Sequence, residues 1–116
     1  MAVELYGIKN CDSVKKAIVW LKENKIDFNF HDFKTEGISE DKLKKWMLLD
    51  ADKKLINRNG TTWRALSADE KEKAEKKTGA LQLMKINTSL IKRPVAEFGN
   101  GILIGFDRDR YQKQFC

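Results

Sequence analysis

The sequence contains only two cysteines, one histidine and one proline. Cys11 and Cys116 lie at opposite ends of the chain, so they do not form the pattern of a disulfide framework. Together with the single histidine, His31, they also lack the ligand spacing of a zinc site. We therefore predict no metal and no bound cofactor, and we expect each cysteine to be a free thiol.

A long apolar run is also absent. No stretch approaches the roughly 20 apolar residues that a membrane-spanning helix needs, and no basic stretch followed by an apolar one marks a secretory signal. The 116 residues are 41% hydrophobic and 34% charged, which is typical of one globular domain. We expect a single domain over residues 1–116 with no membrane association, a cytoplasmic location and a monomeric state.

The charge is unbalanced but evenly spread. Lysines and arginines number 23 against 17 acids, which gives a net charge of +6 and is compatible with an acidic partner or an anionic substrate. The lysines alternate with acids, as in DKLKK and KEKAEKK, and form no basic patch with interleaved aromatic residues. We therefore expect a solvated lysine-rich surface and no nucleic-acid binding.

The N-terminal residues predict a strand, a helix and a second strand. Residues 3–8 are mostly apolar, and apolar residues then recur at helical spacing from Val14 to Leu21. Apolar and polar residues alternate over 26–31, which indicates a half-buried strand. This order usually gives parallel strands joined by a right-handed crossover. Cys11 falls where the first strand gives way to the helix.

The position of Cys11 allows two interpretations. Unpaired backbone N–H groups and the helix dipole favour a negative charge at a helix start, and the thiolate is the nucleophilic form of cysteine. Lys9, Lys15 and Lys16 are close in sequence, although Asp12 opposes them. Cys11 is then a reactive thiol. In the second interpretation it is a small, buried apolar residue.

His31 and Cys116 are predicted to be structural. Histidine is a common general base. However, strand alternation puts His31 on the face opposite Phe28 and Phe30, and nothing in the sequence brings it to Cys11. Cys116 is the last residue, and we expect it to be an exposed thiol because chain termini are usually poorly held.

A block of helices is predicted over about residues 39–86. It follows a loop that we expect over residues 34–38, around Gly37. Ser39 is the predicted N-cap of the first helix, and Ser67 begins a Ser-Ala-Asp-Glu capping box for a later one.

Two boundaries are predicted inside this block. We expect one further helical turn over residues 52–56, followed by a polar loop over residues 57–62. Gly79 is expected to separate a helix that ends near Lys77 from a short helix over residues 80–86.

The C-terminal part predicts a hairpin and a helix. Gly-Asn-Gly at residues 99–101 lies between two apolar runs, which is a strong hairpin signal. Asp107 can cap a last helix that places Tyr111 and Phe115 on one face.

This order of elements resembles the thioredoxin fold with a helical insertion that is found in the arsenate reductase (ArsC) family. The resemblance covers essentially the whole chain. The motifs that carry it are Tyr6-Gly7-Ile8-Lys9-Asn10-Cys11, Leu55-Ile56-Asn57-Arg58, Gly60-Thr61-Thr62-Trp63-Arg64 and Ile91-Lys92-Arg93-Pro94. In detail the chain is similar to the YffB-like branch of glutathione-dependent thiol reductases, and the stress regulator Spx belongs to a neighbouring branch. The resemblance thus implies an α/β, thioredoxin-like fold whose insertion separates the strand–helix–strand unit from the hairpin and last helix.

The same resemblance implies roles for particular residues. Cys11 would be the nucleophile, Arg93 a cation that binds an anion or stabilises the thiolate, and Pro94 a cis proline that faces the cysteine. The residues implied to bind the substrate or glutathione are Asn10, Asn57, Arg58 and Pro94.

Two positions depart from the family pattern. The arsenate reductases have a further arginine in the exit of the hairpin, where this chain has Phe106, and Arg108 is expected on the last helix. Because an oxyanion needs several well-placed cations, arsenate is a less expected substrate. Val14 occupies the place of the second cysteine of a Cys-X-X-Cys motif. The thiol that releases Cys11 must then come from outside, and in this family it is glutathione.

Two classes of function follow. The first is a glutathione-dependent monothiol reductase that acts on an oxidised thiol or an oxyanion. The second is a regulatory module that binds a protein such as RNA polymerase, as the Spx branch does, through exposed arginines such as Arg58 and Arg64. The alternative is that these arginines are solvated loop residues, which is the interpretation we favour for Arg64. Only the first class of function requires a reactive Cys11.

Overall fold

The computed structural model describes residues 2–116 and has a mixed α/β fold built on a four-stranded sheet. Its elements are β1 (Val3–Gly7), α1 (Asp12–Glu23), β2 (Phe28–Asp32), α2 (Phe33–Glu36), α3 (Glu40–Leu49), α4 (Thr61–Arg64), α5 (Ala68–Lys73), α6 (Lys77–Ile86), a 3-10 turn (Thr88–Leu90), β3 (Val95–Phe98), β4 (Gly101–Ile104) and α7 (Arg108–Phe115). The predicted α/β class is confirmed. None of the helices in residues 2–116 has the length and apolar character needed to cross a membrane.

The chain divides into two compact units. The first, called here the sheet unit, contains the chain up to Glu36 together with Arg93–Cys116 and holds the four strands. The second, called the helical unit, is Gly37–Lys92 and includes the predicted helical block of residues 39–86. The single domain over residues 1–116 stays a prediction.

The sheet has the strand order β2-β1-β3-β4. β1 and β2 pair in parallel, which confirms the strand–helix–strand prediction with α1 as the connection. β3 pairs antiparallel with both β1 and β4, and the predicted Gly-Asn-Gly turn joins β3 to β4. Gly99 in that turn has a φ of 47°, a conformation that glycine adopts without steric cost.

The core of the sheet unit lies between the sheet and helices α1 and α7. The side chains that fill it are Val3, Leu5, Ala17, Trp20, Leu21, Ala96, Leu103 and Tyr111. Tyr111 is fully buried, and its ring meets Trp20 edge-on at 5.5 Å between centroids. The ring centroids of Phe115 and Tyr111 are 5.5 Å apart, so these two aromatic residues lie on one face of α7, as predicted. Burial raises the pKa of the Tyr111 hydroxyl.

Predicted N-caps begin two of the helices. The Ser39 hydroxyl accepts the backbone N–H of Lys42 at 3.1 Å at the start of α3. The Asp107 carboxylate accepts the backbone N–H groups of Asp109 and Arg110 at 2.9 and 3.2 Å at the start of α7. These bonds satisfy donors that a helix start leaves unpaired, so both helices begin where the sequence places them.

The predicted capping box at Ser67 is also confirmed. The Ser67 hydroxyl accepts the backbone N–H of Glu70 at 3.1 Å, and the Glu70 carboxylate accepts the backbone N–H of Ser67 at 3.0 Å. The hydrogen bond from the Ser67 backbone, and then that from its hydroxyl, hold the pKa of the Glu70 carboxyl below its usual range. The helix itself, α5, ends at Lys73 and is therefore shorter than predicted.

The predicted loop over residues 34–38 is wrong in its first half, because Phe33–Glu36 forms a helical turn. The Asp32 carboxylate accepts the backbone N–H of Lys34 at 3.0 Å, and the Asp32 carbonyl accepts the hydroxyl of Thr35 at 3.2 Å. These local bonds stabilise one turn without any apolar periodicity. Gly37, with a φ of 75°, follows the turn.

The expected helical turn over residues 52–56 is also wrong. The Asp50 carboxylate accepts the backbone N–H groups of Lys54 and Leu55 at 2.9 and 2.7 Å. The chain then extends, and Ile56 forms an isolated antiparallel bridge with Ile91. The hydrogen bonds to Asp50 and the bridge to Ile91 therefore outweigh the local preference of this segment for a helix.

The prediction that Gly79 separates two helices is wrong, because Gly79 lies inside α6. A Cβ atom at this position would collide with the backbone carbonyl oxygen of Lys73, the last residue of α5. The glycine therefore permits close packing of two consecutive helices, and the break between them falls at residues 74–76 instead.

We predict that Gly79→Ala destabilises the protein. Alanine is a better helix former than glycine by about 1 kcal/mol, but the collision with Lys73 costs about 1–3 kcal/mol. Urea denaturation should give a lower free energy of unfolding for Gly79→Ala than for the parent. Thr78→Ala, an exposed change in the same helix, is the matched control and should be close to neutral. A gain in stability for Gly79→Ala would contradict the packing argument.

Candidate functional site

Cys11 is the N-cap of α1, a helix of the sheet unit, and lies four residues after the end of β1. Its backbone is extended, with φ −139° and ψ 122°, and its carbonyl accepts the backbone N–H of Lys15 at 3.0 Å. The side chain makes no capping hydrogen bond and is half-buried. Cys11 thus lies beside the first backbone N–H groups of a 12-residue helix, at the positive end of its dipole.

Gly7 brings the start of this helix close to the strand. A Cβ atom at position 7 would lie 2.6 Å from Cγ2 of Val14, which is fully buried. Because valine is stiff about χ1, it could not move away cheaply. A glycine at the end of β1 therefore sets the separation between β1 and α1, and with it the position of Cys11.

The sheet brings Arg93 and Pro94 to the same edge as the turn that contains Cys11. β1 runs antiparallel to β3, with Tyr6 opposite Val95. The end of β1, which leads to Cys11, therefore lies beside the beginning of β3, which directly follows Pro94. The Arg93–Pro94 peptide bond is cis, as the family resemblance implies. Arg93 is half-buried and Pro94 is buried.

The exit of the hairpin meets this edge as well. The backbone N–H of Gly105 donates to the carbonyl of Pro94 at 2.8 Å, and Gly105 has a φ of 79°. Phe106 then packs edge-on against Tyr111, with 4.8 Å between ring centroids. Arg108 is exposed at the start of α7, as predicted. Phe106 therefore contributes an aromatic ring where the arsenate reductases are expected to supply a cation.

His31 contacts side chains of β1 and α2. It pairs with Tyr6 in the β1–β2 register, and the two rings stack at 4.5 Å. His31 Nε2 lies 2.7 Å from the Glu4 carboxylate, and Nδ1 lies 3.8 Å from the Glu36 carboxylate. The predicted structural role is thus supported by specific partners. Sequence reasoning missed these partners, and the parallel register of two strands is the signal that could have found them.

Asn57 and Arg58 belong to the helical unit. The backbone N–H of Asn57 donates to the Leu90 carbonyl at 2.8 Å, and its side-chain oxygen accepts the backbone N–H of Asn59 at 3.2 Å. Arg58 donates to the Lys53 carbonyl at 3.1 Å and lies over the Trp63 ring, 5.3 Å from its centroid. These contacts give both residues a defined place in their loop, and their role toward Cys11 stays a prediction.

The remaining predicted residues occupy simple positions. Asn10 is exposed in the bend that precedes Cys11, and Cys116 is exposed at the end of the chain, as expected. Across residues 2–116, no three His, Cys, Asp or Glu side chains are grouped so that they could hold a metal ion. The chemistry available at this edge of the sheet is thus that of a thiol at a helix start, with Arg93 in the segment that leads into the neighbouring strand β3.

Known proteins are similar to this chain in both sequence and structure. The model of the ArsC family matches residues 6–114. A solved YffB protein is 40% identical, with 99% of this chain and 100% of that chain covered and a TM-score of 0.91. The solution structure of an arsenate reductase (ArsC) related protein from Brucella melitensis is 39% identical, with coverages of 99% and 95% and a TM-score of 0.78.

A regulator is also similar in sequence. The global transcriptional regulator Spx of Streptococcus pyogenes serotype M6 is 28% identical over 109 residues, which are 92% of this chain and 80% of Spx. Together with the solved structures, these similarities confirm the thioredoxin-like α/β fold that the sequence motifs imply.

Proposed function

The chain belongs to the ArsC family, and on this basis we propose that it is a monothiol oxidoreductase with Cys11 as nucleophile and glutathione as co-substrate. The observation that carries the proposal is the position of Cys11. Cys11 is the N-cap of α1, and its side chain makes no capping hydrogen bond. It follows the end of β1, at the same edge of the sheet where the Arg93–Pro94 segment leads into β3. A purely structural cysteine has no need of this position.

The proposed reaction is thiol–disulfide exchange. The Cys11 thiolate attacks the glutathione sulfur of a mixed disulfide between glutathione and a substrate thiol. A Cys11–glutathione disulfide forms, and the substrate leaves as a thiolate that takes a proton from water. The thiolate of a second glutathione then attacks the bound glutathione sulfur. Glutathione disulfide leaves, and the Cys11 thiolate is restored.

The need for an external thiol follows from the neighbours of Cys11. Val14 stands where a resolving cysteine of a Cys-X-X-Cys motif would be, and it is fully buried against Gly7. Cys116 is exposed at the other end of the chain. Glutathione is the thiol that the proposal supplies for the second step, and its use implies a reducing compartment such as the cytoplasm.

The proposed role of Arg93 is electrostatic. A guanidinium at this edge would stabilise the Cys11 thiolate and bind a carboxylate of glutathione. Asn10, Pro94, Asn57 and Arg58 are proposed to contact the substrate or glutathione. Arsenate is not the proposed substrate, because Phe106 packs on Tyr111 where a further cation would be needed for a multiply charged oxyanion.

A second candidate is a regulatory module that binds a protein partner such as RNA polymerase. It is favoured by the similarity to Spx. Under this candidate, wild-type protein would capture a specific partner from lysate and show no turnover of glutathione mixed disulfides. Capture that is unaffected by Cys11→Ser, in the absence of turnover, would favour the module over the enzyme.

We predict that Cys11→Ser abolishes glutathione-dependent reduction of a model mixed disulfide, because the hydroxyl cannot form the covalent intermediate. Cys116→Ser is the matched control and should retain nearly full turnover. The rate is measured by coupling glutathione disulfide production to glutathione reductase. Equal losses in both variants would show that Cys116 resolves the adduct and would overturn the mechanism.

We predict that Arg93→Gln lowers this turnover by about 10- to 100-fold, since a hydrogen bond to a charged group contributes about 1.5–3 kcal/mol. Lys92→Gln removes the same charge one residue earlier and should have a much smaller effect. Circular dichroism checks that both variants are folded. Turnover of Arg93→Gln equal to that of Lys92→Gln would contradict the assigned role.

A further inference from the structure

The helical unit contains a cavity of about 300 Å³ that involves neither Cys11 nor the sheet. It opens between the end of α3, the loop that follows it and the start of α6. Its floor is apolar and consists of Leu55, Ile56, Ala74, Ala80 and Met84, each of which is buried. Leu48, at the mouth, is 81% exposed and extends the apolar surface outward.

The rim of this cavity is cationic. Its basic residues are Lys53, Arg58, Lys76 and Lys77, and its acidic residues are Asp50 and Glu75. The Asp50 carboxylate already accepts two backbone N–H groups of the loop, at 2.9 and 2.7 Å. The rim therefore presents an excess of positive charge beside an apolar floor.

Two of these cations are available to a ligand. Lys76 and Lys77 are exposed, and within residues 2–116 neither ammonium group forms a salt bridge. They stand at the start of α6, which has no side-chain N-cap bond. The positive end of the helix dipole thus adds to their charge at the same side of the cavity.

The guanidinium of Arg58 is fixed at the rim. It donates to the Lys53 carbonyl at 3.1 Å and lies over the Trp63 ring. Such a positioned cation loses little conformational freedom when an acid group binds, which favours recognition of a carboxylate or sulfonate.

We propose that this cavity is a binding site for a small amphipathic organic anion, with its apolar body on the floor and its acid group at the lysines of the rim. The volume is at the lower end of the range for ligand pockets, about 300–1,000 Å³, which limits the occupant to a short chain or a single ring system. The proposal goes beyond the reaction at Cys11, because it needs no redox chemistry and places the acid group at Lys76 and Lys77. Arg58 is the residue that it shares with the set proposed to contact the substrate or glutathione.

Octanoate is the probe for this proposal, with octylammonium and octyl glucoside as cationic and neutral ligands whose chains also contain eight carbon atoms. Each is titrated, below its micelle concentration, into the full-length ¹⁵N-labelled protein and followed by amide chemical shifts. Octanoate should give saturable shifts centred on Leu55, Ala74, Lys77 and Ala80. Octylammonium should give none of these, and octyl glucoside should bind at least threefold more weakly.

The charge requirement is tested with the double variant Lys76→Gln, Lys77→Gln. Its octanoate affinity should be about three- to tenfold lower, which is the effect expected for the loss of two exposed charge contacts. The matched control is Lys22→Gln, Lys113→Gln, which removes the same charge from exposed positions of the sheet unit and should change the affinity by less than about twofold. Ala80→Leu, which fills the floor, should abolish binding.

Several results would overturn the proposal. Shifts that lie outside the cavity, equal affinity for octylammonium, or equal losses in the two double variants would each do so. Shifts at the cavity that depend on protein concentration without ligand would show that a second copy of the chain occupies it. Turnover of a mixed disulfide is measured in the same samples, so that failure of octanoate binding is distinguished from failure of the proposed reaction.

Discussion

The antiparallel pairing of β1 with β3 is the contact on which the rest of the structure depends. It joins the N-terminal strand–helix–strand to the C-terminal hairpin, although the paired residues are far apart in the sequence: Glu4 lies opposite Glu97, and Tyr6 lies opposite Val95. The helical unit is accommodated between these two parts of the sequence. Without this pairing, the turn at Cys11 and the cis Arg93–Pro94 bond would belong to separate pieces of chain.

Much of the fold could be predicted because its signals are local. Hydroxyl and carboxylate caps act within three residues, so Ser39, Ser67 and Asp107 marked helix starts correctly. The element predictions that were wrong depend on contacts with residues that are not immediate neighbours in the sequence. Gly79 was predicted to break a helix because glycine has a low helix propensity. Its role in the structure is to allow close packing against the carbonyl of Lys73 in the preceding helix, and helix propensity contains no information on such a contact.

The candidate site was less accessible from the sequence. The helix start beside Cys11 follows from hydrophobic periodicity, but the proximity of the turn to β3 requires a long-range register. The same limit explains why the bond between His31 and Glu4 was missed, since each residue alone looks like an ordinary strand position. The roles of Arg93 and Pro94 came from the family motif, because isolated Arg-Pro dipeptides carry no chemical signal of their own.

The proposed reaction of Cys11 is tested most directly by the intact mass and peptide map of the protein after reaction with glutathione disulfide. We predict one glutathione per chain, attached to Cys11, and its rapid removal by reduced glutathione with return of the free thiol. Attachment to Cys116 alone, or a Cys11 adduct that resists reduced glutathione, would contradict the claim that Cys11 carries a turnover cycle completed by an external thiol.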